Sequence, residues 1–122
     1  MKEKLGIPGY ERMLLPLLRA VNDREAHRVG DLADAIGDYF SIPKDVRRDT
    51  RSDGRTHLVH RIEWARTYLK KAGLVEYPDV GLFTITAEGR ALLKGKPNEK
   101  DFLLKYRKLL ALQKALSVRL GL

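Results

Sequence analysis

Hydrophobic positions recur at helical spacing in several stretches of the chain, and the clearest runs from His57 to Gly73. Leu58, Ile62, Ala65, Leu69 and Ala72 follow one another at steps of four, three, four and three, which places them on one buried face. The other face carries His57, His60, Thr67 and Lys71, with Arg61 on its flank. Gly73 closes this helix as the residue type that adopts the left-handed conformation past a helix end. Upstream, Tyr10, Leu14, Leu17, Leu18 and Val21 mark a first amphipathic helix with Pro16 inside it, where a kink is expected. Ala26 to Val29 reads as a short extended piece holding a lone His27. A second helix opens at Gly30 or Asp31, with Leu32, Ile36, Tyr39 and Phe40 as its buried side.

Pro43 starts a short helical turn that runs to Arg48. Asp49 to Thr56 contains no apolar residue and reads as a solvated loop, or as a segment ordered by a partner. After the long helix, Leu74–Tyr77 and Leu82–Ile85 form two short strands joined by the turn-rich Pro78-Asp79-Val80-Gly81. Thr86 caps a helix over Ala87–Lys94, which Gly95, Pro97 and Asn98 end. A last, long helix spans Glu99–Leu120. Its Phe102, Tyr106, Leu109, Gln113, Leu116 and Leu120 alternate steps of four and three, like the seam of a short coiled coil. Leu103 and Leu110 widen that stripe, so it fits packing on its own domain as well as pairing with a second copy through Phe102, Tyr106, Leu109, Leu116 and Leu120.

The predicted fold is mainly α with a small β-sheet, a winged helix-turn-helix with an extra long C-terminal helix. Residues 1–98 form the winged-helix domain. Residues 99–122 form the final helix, which packs on the domain, dimerises or leads to a further domain. In a winged helix the third long helix reads DNA and the hairpin is the wing.

Charge sharpens this picture. Twenty-four Lys and Arg against sixteen Asp and Glu leave +8. Residues 1–40 hold six basic and seven acidic residues, residues 41–73 nine and four, and residues 74–122 nine and five. The excess therefore lies in and after the middle of the chain and favours a polyanion, chiefly nucleic acid, although charge alone serves solubility equally well. Arg47, Arg48, Arg51 and Arg55 lie close together with Thr50, Ser52 and Thr56, and guanidinium forks and hydroxyls are phosphate ligands. Thr56, His57, His60 and Arg61 begin the long helix, where a recognition helix first meets the major groove, and Thr67 and Lys71 continue its outer face. Asp45, Asp49, Asp53 and Glu63 are interspersed, so local ion pairs are expected among these arginines. The wing residues Glu76–Gly81 contain no Lys or Arg and are expected to contact DNA weakly or not at all. Trp64 and Tyr68 are expected to pack under the wing or the final helix.

Several chemistries are disfavoured. There is no cysteine, hence no disulfide, thiol nucleophile or Cys-ligated zinc, and this fits a reducing, cytoplasmic setting. No apolar run is long enough to span a bilayer, and the polar start beginning at Met1 lacks a signal-peptide core. His57 and His60 share a face, but with only Asp53 as a third ligand among arginines a metal site is not expected. No cofactor motif and no Ser/His/Asp arrangement of recognisable spacing is present.

Longer pieces carry a family likeness. They are Ile7-Pro8-Gly9-Tyr10, Met13 to Ala20, His27-Arg28-Val29, Arg61, the run Trp64-Ala65-Arg66-Thr67-Tyr68-Leu69-Lys70-Lys71-Ala72-Gly73-Leu74, and Ile85-Thr86-Ala87-Glu88-Gly89-Arg90. Over roughly residues 7–107 the chain resembles the N-terminal winged-helix domain of the Mrr family of restriction endonucleases, type IV enzymes that act on methylated DNA. The resemblance implies double-stranded DNA as partner and no catalysis by this chain. In that family the cleavage belongs to a PD-(D/E)xK nuclease domain. Pro78-Asp79 with Glu88-Gly89-Arg90 imitates that motif only superficially, because Arg90 cannot give up a proton as the nuclease lysine can. A stand-alone winged-helix transcriptional regulator, or an interaction module dimerising through the final helix, is the alternative.

Overall fold

The computed structural model describes residues 6–121, and the polar start read at Met1–Leu5 lies outside them. The elements are α1 (Tyr10–Ala20), α2 (Val29–Tyr39), α3 (Lys44–Arg48), α4 (His57–Lys71), β1 (Val75–Glu76), β2 (Thr84–Ile85), α5 (Ala87–Lys94) and α6 (Glu99–Leu120). The molecule is a winged helix, mainly helical, with a small antiparallel sheet and an added C-terminal helix.

The core forms where α1, α2 and α4 pack on one another. Each contributes the stripe that its spacing implies. Leu58, Ile62, Ala65, Leu69 and Ala72 of the α4 stripe are all buried, against Met13, Leu14, Leu17 and Leu18 of α1 and Leu32 and Ile36 of α2. Full burial of one such leucine or isoleucine contributes roughly 1.5–3 kcal/mol, far more than the helical propensity of the residues around it. α1 runs through Pro16, which is itself buried.

α2 ends one residue short of its expected buried side. Tyr39 is 60% exposed, and Phe40 is partly covered by the Arg12 guanidinium 5.5 Å from its ring centre. The chain turns at Ser41, which has φ of 52°, and Ile42 fills the core position instead, its amide donating to Gly37 O at 2.9 Å.

The sheet is narrower than the apolar runs on either side of the wing. Val75 pairs with Ile85 and Glu76 with Thr84. Beyond them the wing closes on itself, with Asp79 Oδ1 accepting from Val80 N and Asp79 O accepting from Leu82 N. His27 and Phe83 exchange both backbone hydrogen bonds at 2.8 and 2.9 Å, so the extended piece before α2 docks beside β2 through a single residue pair. His27 itself binds the Asp23 carboxylate at 2.8 Å, a turn-closing contact.

The wing and α5 are fastened to the end of α4 by one side chain. Thr86 Oγ1 accepts from Gly89 N at 3.1 Å, capping α5, and donates to Gly73 O at 2.7 Å. Gly73, at φ of 80°, supplies the left-handed turn that carries the chain from α4 into β1. Gly89 lies so close to the sheet that a Cβ there would meet Leu74 O at 2.4 Å.

Asn98 Oδ1 caps α6 by accepting from Asp101 N. The first turns of α6 complete the core with Phe102 and Tyr106, both buried. Leu103, Leu109 and Leu110 are partly buried against the same core. From Ala111 to Leu120 every residue of α6 is exposed. The expected seam is therefore divided. Phe102 and Tyr106 belong to the domain's own core and are not available to a second copy, because the groove beside α1 and α4 takes up the start of the stripe. Leu116 and Leu120 face outward on the part that extends past the body. No described helix is long and apolar enough to cross a membrane.

Candidate nucleic-acid interface

α4 presents its polar face because its apolar stripe is occupied by α1 and α2. Thr56 starts the helix, its Oγ1 accepting from Val59 N at 3.1 Å. Accepting leaves the hydroxyl proton of Thr56 free to donate, as a phosphate ligand must. His60, Trp64, Thr67 and Lys71 follow at steps of four, three and four along one outward ridge. Thr67 differs from Thr56, since its hydroxyl donates to Glu63 O at 3.0 Å. Only lone pairs remain, which suits acceptance from a base amine better than contact with a phosphate.

The basic loop before α4 is ordered, not open. Thr50 pairs with Thr56, Arg51 N donates to Arg55 O at 2.7 Å, and Gly54 turns the chain at φ of 85°. Asp53 sits between two arginines, with Oδ2 2.9 Å from Arg55 Nη2 and 3.4 Å from Arg51 Nε. The guanidinium of Arg55 also binds the Glu63 carboxylate of α4. These arginines hold the Asp53 carboxyl below its ordinary range, first through the Arg55 hydrogen bond. Arg51, Arg55, Asp53 and Glu63 thus cancel in charge, and the loop is a clip holding the start of α4.

Two other expected ligands are structural. Arg47 lies along Gly37, donating from Nε to Ile42 O at 2.7 Å and pairing through Nη1 with Asp38 at 2.8 Å. Its fork is spent on joining α2 to α3. Arg61 is only 8% exposed and donates from Nη1 to Pro8 O at 2.8 Å. Arg61 lies three residues after Leu58 and four before Ala65, at the edge of the buried stripe, so it turns inward toward the segment before α1, and burial lowers its pKa. Arg48, by contrast, is exposed and forms no ion pair among the described residues. His57 is half-exposed, with Nε2 3.8 Å from Asp49 Oδ2. His60 stands edge-on to Trp64 at 6.2 Å, and its pKa is lowered by burial and then by Arg51 and Arg55, so it is neutral at neutral pH.

The second half of α4 contributes more than its spacing disclosed. Trp64 does not pack under the wing or α6 but is 44% exposed on the ridge, its ring 6.0 Å from Tyr68. Tyr68 stacks on Tyr10 of α1 at 4.7 Å. Arg66 and Lys70 reach across to the wing, both over the Tyr77 ring at 5.3 and 5.2 Å. Their i, i+4 step just before the hairpin was the available signal for this pair. The guanidinium of Arg28 also approaches the wing, since a Cβ on Gly81 would lie 3.1 Å from its Nη1. A wing with no cation in its own sequence therefore has cations beside it from α4 and from the residue before α2. A shallow depression of about 310 Å³ runs along the ridge between Arg55, His60, Glu63, Trp64, Arg66 and Thr67, the Glu63 carboxylate being paired with Arg55.

No cluster of His, Asp and Glu able to hold a metal occurs among the described residues. Asp79 lies in the wing and Glu88 in the first turn of α5, on separate elements. Comparison with known proteins finds the family model of the Mrr N-terminal domain matching residues 10–95, from the start of α1 to the end of α5. No curated protein and no solved structure matches the chain significantly. With most of its length matched by that model, the chain belongs to the Mrr N-terminal domain family.

Proposed function

We propose that this chain is the double-stranded-DNA-binding module of an Mrr-type restriction endonuclease and performs no catalysis itself. The observation that carries the reading is the outward ridge of α4. It is a fully formed helix whose apolar stripe is consumed by the core, whose outer face offers His60, Trp64, Thr67 and Lys71, and whose far half is flanked by Arg66 and Lys70. Such a helix fits a major groove, with Arg48 and Thr56 donating to phosphates at its start.

The ion pairs within the 51–55 loop lower the expected electrostatic yield. Arg48, Arg66, Lys70 and Lys71 are cations without a carboxylate partner among the described residues. Four neutralised phosphates give a slope of log affinity against log salt near −3.6, where five give one nearer −4.5. Fluorescence anisotropy of a labelled duplex at three salt concentrations measures it. Binding that is absent, or independent of salt, rejects the reading.

A second reading has its own observation. The extended half of α6 leaves Leu112, Leu116 and Leu120 exposed along one side, at steps of four. We infer a pairing surface for a second copy there, made without Phe102 and Tyr106. Sedimentation of the chain and of a Leu116→Glu, Leu120→Glu variant tests it, and a wild-type monomer removes it.

A further inference from the structure

The end of α4 and the middle of α6 enclose a groove of about 450 Å³. Tyr68, Lys70 and Lys71 line one side and Gln113, Lys114 and Ser117 the other, with no carboxylate among its walls in the described residues. Past Asp101, α6 carries Lys105, Arg107, Lys108, Lys114 and Arg119 and no acidic residue. The two walls are held in register, because the amide of Gln113 lies against Gly73, where a Cβ would stand 3.2 Å from Nε2.

The three ammonium groups are not spent on the negative end of α4. Its terminal carbonyls are already satisfied, with Tyr68 O, Leu69 O and Lys70 O accepting from the amides of Ala72, Leu74 and Gly73. Lys71 rests over the Tyr68 ring at 5.0 Å and Lys70 over Tyr77, contacts that orient a cation without cancelling its charge. Gln113 and Ser117 add an amide and a hydroxyl, both of which donate to phosphate oxygens.

Geometry ties the groove to the reading helix. From His60 to Lys71 a helix rises about 17 Å, at about 1.5 Å per residue. The major groove is only about 12 Å wide. A helix that enters it at a steep angle with His60 near one edge would bring Lys71 to the other, where the sugar-phosphate strand runs.

We propose that the α4–α6 groove seats this bordering phosphate strand of the same duplex, which makes α6 a DNA-contacting element. The proposal rests on the DNA-binding reading above. An acidic peptide would match the charge, but the groove's continuity with the outward ridge of α4 favours the duplex.

The test compares Lys114→Glu and Ser117→Asp, in the groove, with Lys108→Glu, which makes the same charge change as Lys114→Glu on a different flank of α6, beside Lys96 and Pro97. All three positions are exposed. In anisotropy titrations of a labelled 20-bp duplex (about two helical turns), Lys114→Glu is expected to weaken binding about tenfold at low salt. It should reduce the salt slope by about 1. Ser117→Asp should weaken binding in the same direction, and Lys108→Glu by no more than about twofold. Equal losses at Lys108 and Lys114 show a net-charge effect only and overturn the groove, as does an unchanged Lys114→Glu. A wild-type chain that binds no duplex overturns the DNA-binding reading itself, so the two failures are distinct. Capture of poly-glutamate by the wild-type chain, unaccompanied by duplex binding, assigns the groove to acidic peptide and refutes this proposal.

Discussion

Replacing Arg61 by leucine should do less harm than replacing it by lysine. The guanidinium is buried beside Tyr10, Trp64 and Tyr68, its Nη1 donates to Pro8 O, and burial is the only resolved influence on its pKa, with no carboxylate contributing. Lysine keeps the charge but is shorter and lacks the fork. It forfeits a charge-assisted hydrogen bond of about 1.5–3 kcal/mol and retains a desolvated cation, for a total loss of about 2–4 kcal/mol. Leucine forfeits the same bond but removes the desolvation cost and keeps apolar contact with the rings, so its net effect should lie within about 1 kcal/mol. At about 2.1 cal/mol/K of unfolding entropy per residue, a chain of this length shifts its Tm by about 4 °C per kcal/mol. Thermal melts by circular dichroism should then show Arg61→Lys about 8–16 °C below wild type and Arg61→Leu within about 4 °C. Both variants should bind duplex DNA with wild-type affinity well below their melting points, since Arg61 does not reach the ridge. A leucine variant less stable than the lysine variant would refute the net desolvation cost. A leucine variant that melts normally but loses tenfold or more in DNA affinity would make Arg61 a DNA ligand.

Gly89→Ala adds a Cβ 2.4 Å from Leu74 O and 2.7 Å from Ile85 Cγ1, and Leu74 O is fixed by Thr86 N at 3.0 Å. Overpacking should outweigh alanine's helical advantage by about 1–3 kcal/mol, and a raised Tm would show that the sheet gives way freely. Asp53→Asn with Glu63→Gln releases Arg51 and Arg55 from their ion pairs. Duplex affinity should rise and its salt slope steepen by up to about 2, whereas unchanged binding would place the loop away from DNA. His60 has a pKa lowered from 6.5 by burial and by Arg51 and Arg55. Its contribution to stability is therefore complete above about pH 6.5 and is lost as pH falls through the lowered value. NMR titration of its ring should give a midpoint below 6.5 in the free protein and a higher one on duplex DNA. A free-protein midpoint at or above 6.5 contradicts the burial and the arginine field.

Much of this fold was already determined by local sequence. The stripe Leu58, Ile62, Ala65, Leu69 and Ala72, the caps Thr86 and Asn98 and the left-handed Gly73 act within a few residues of themselves, so their spacing and chemistry suffice to specify α4, α5, the start of α6 and the turn between helix and wing. The family resemblance, too, was read from linear pieces such as Trp64 to Leu74, which lie inside the matched residues 10–95. The site was less legible, because a charged residue's role depends on which distant carbonyl or carboxylate it meets. Arg47 was claimed by Asp38 and Ile42 O and Arg61 by Pro8 O, none of which its own neighbourhood signals, whereas the pairing of Arg55 with Asp53 and Glu63 is the local ion pairing that the interspersed carboxylates led one to expect. Arg66 and Lys70 became part of the candidate interface only when the hairpin brought Tyr77 beneath them. The same holds for α6, whose periodicity runs evenly to Leu120. Tertiary packing alone divided it, giving Phe102 and Tyr106 to the core and leaving Leu116 and Leu120 to solvent, because the body it packs against ends before the helix does.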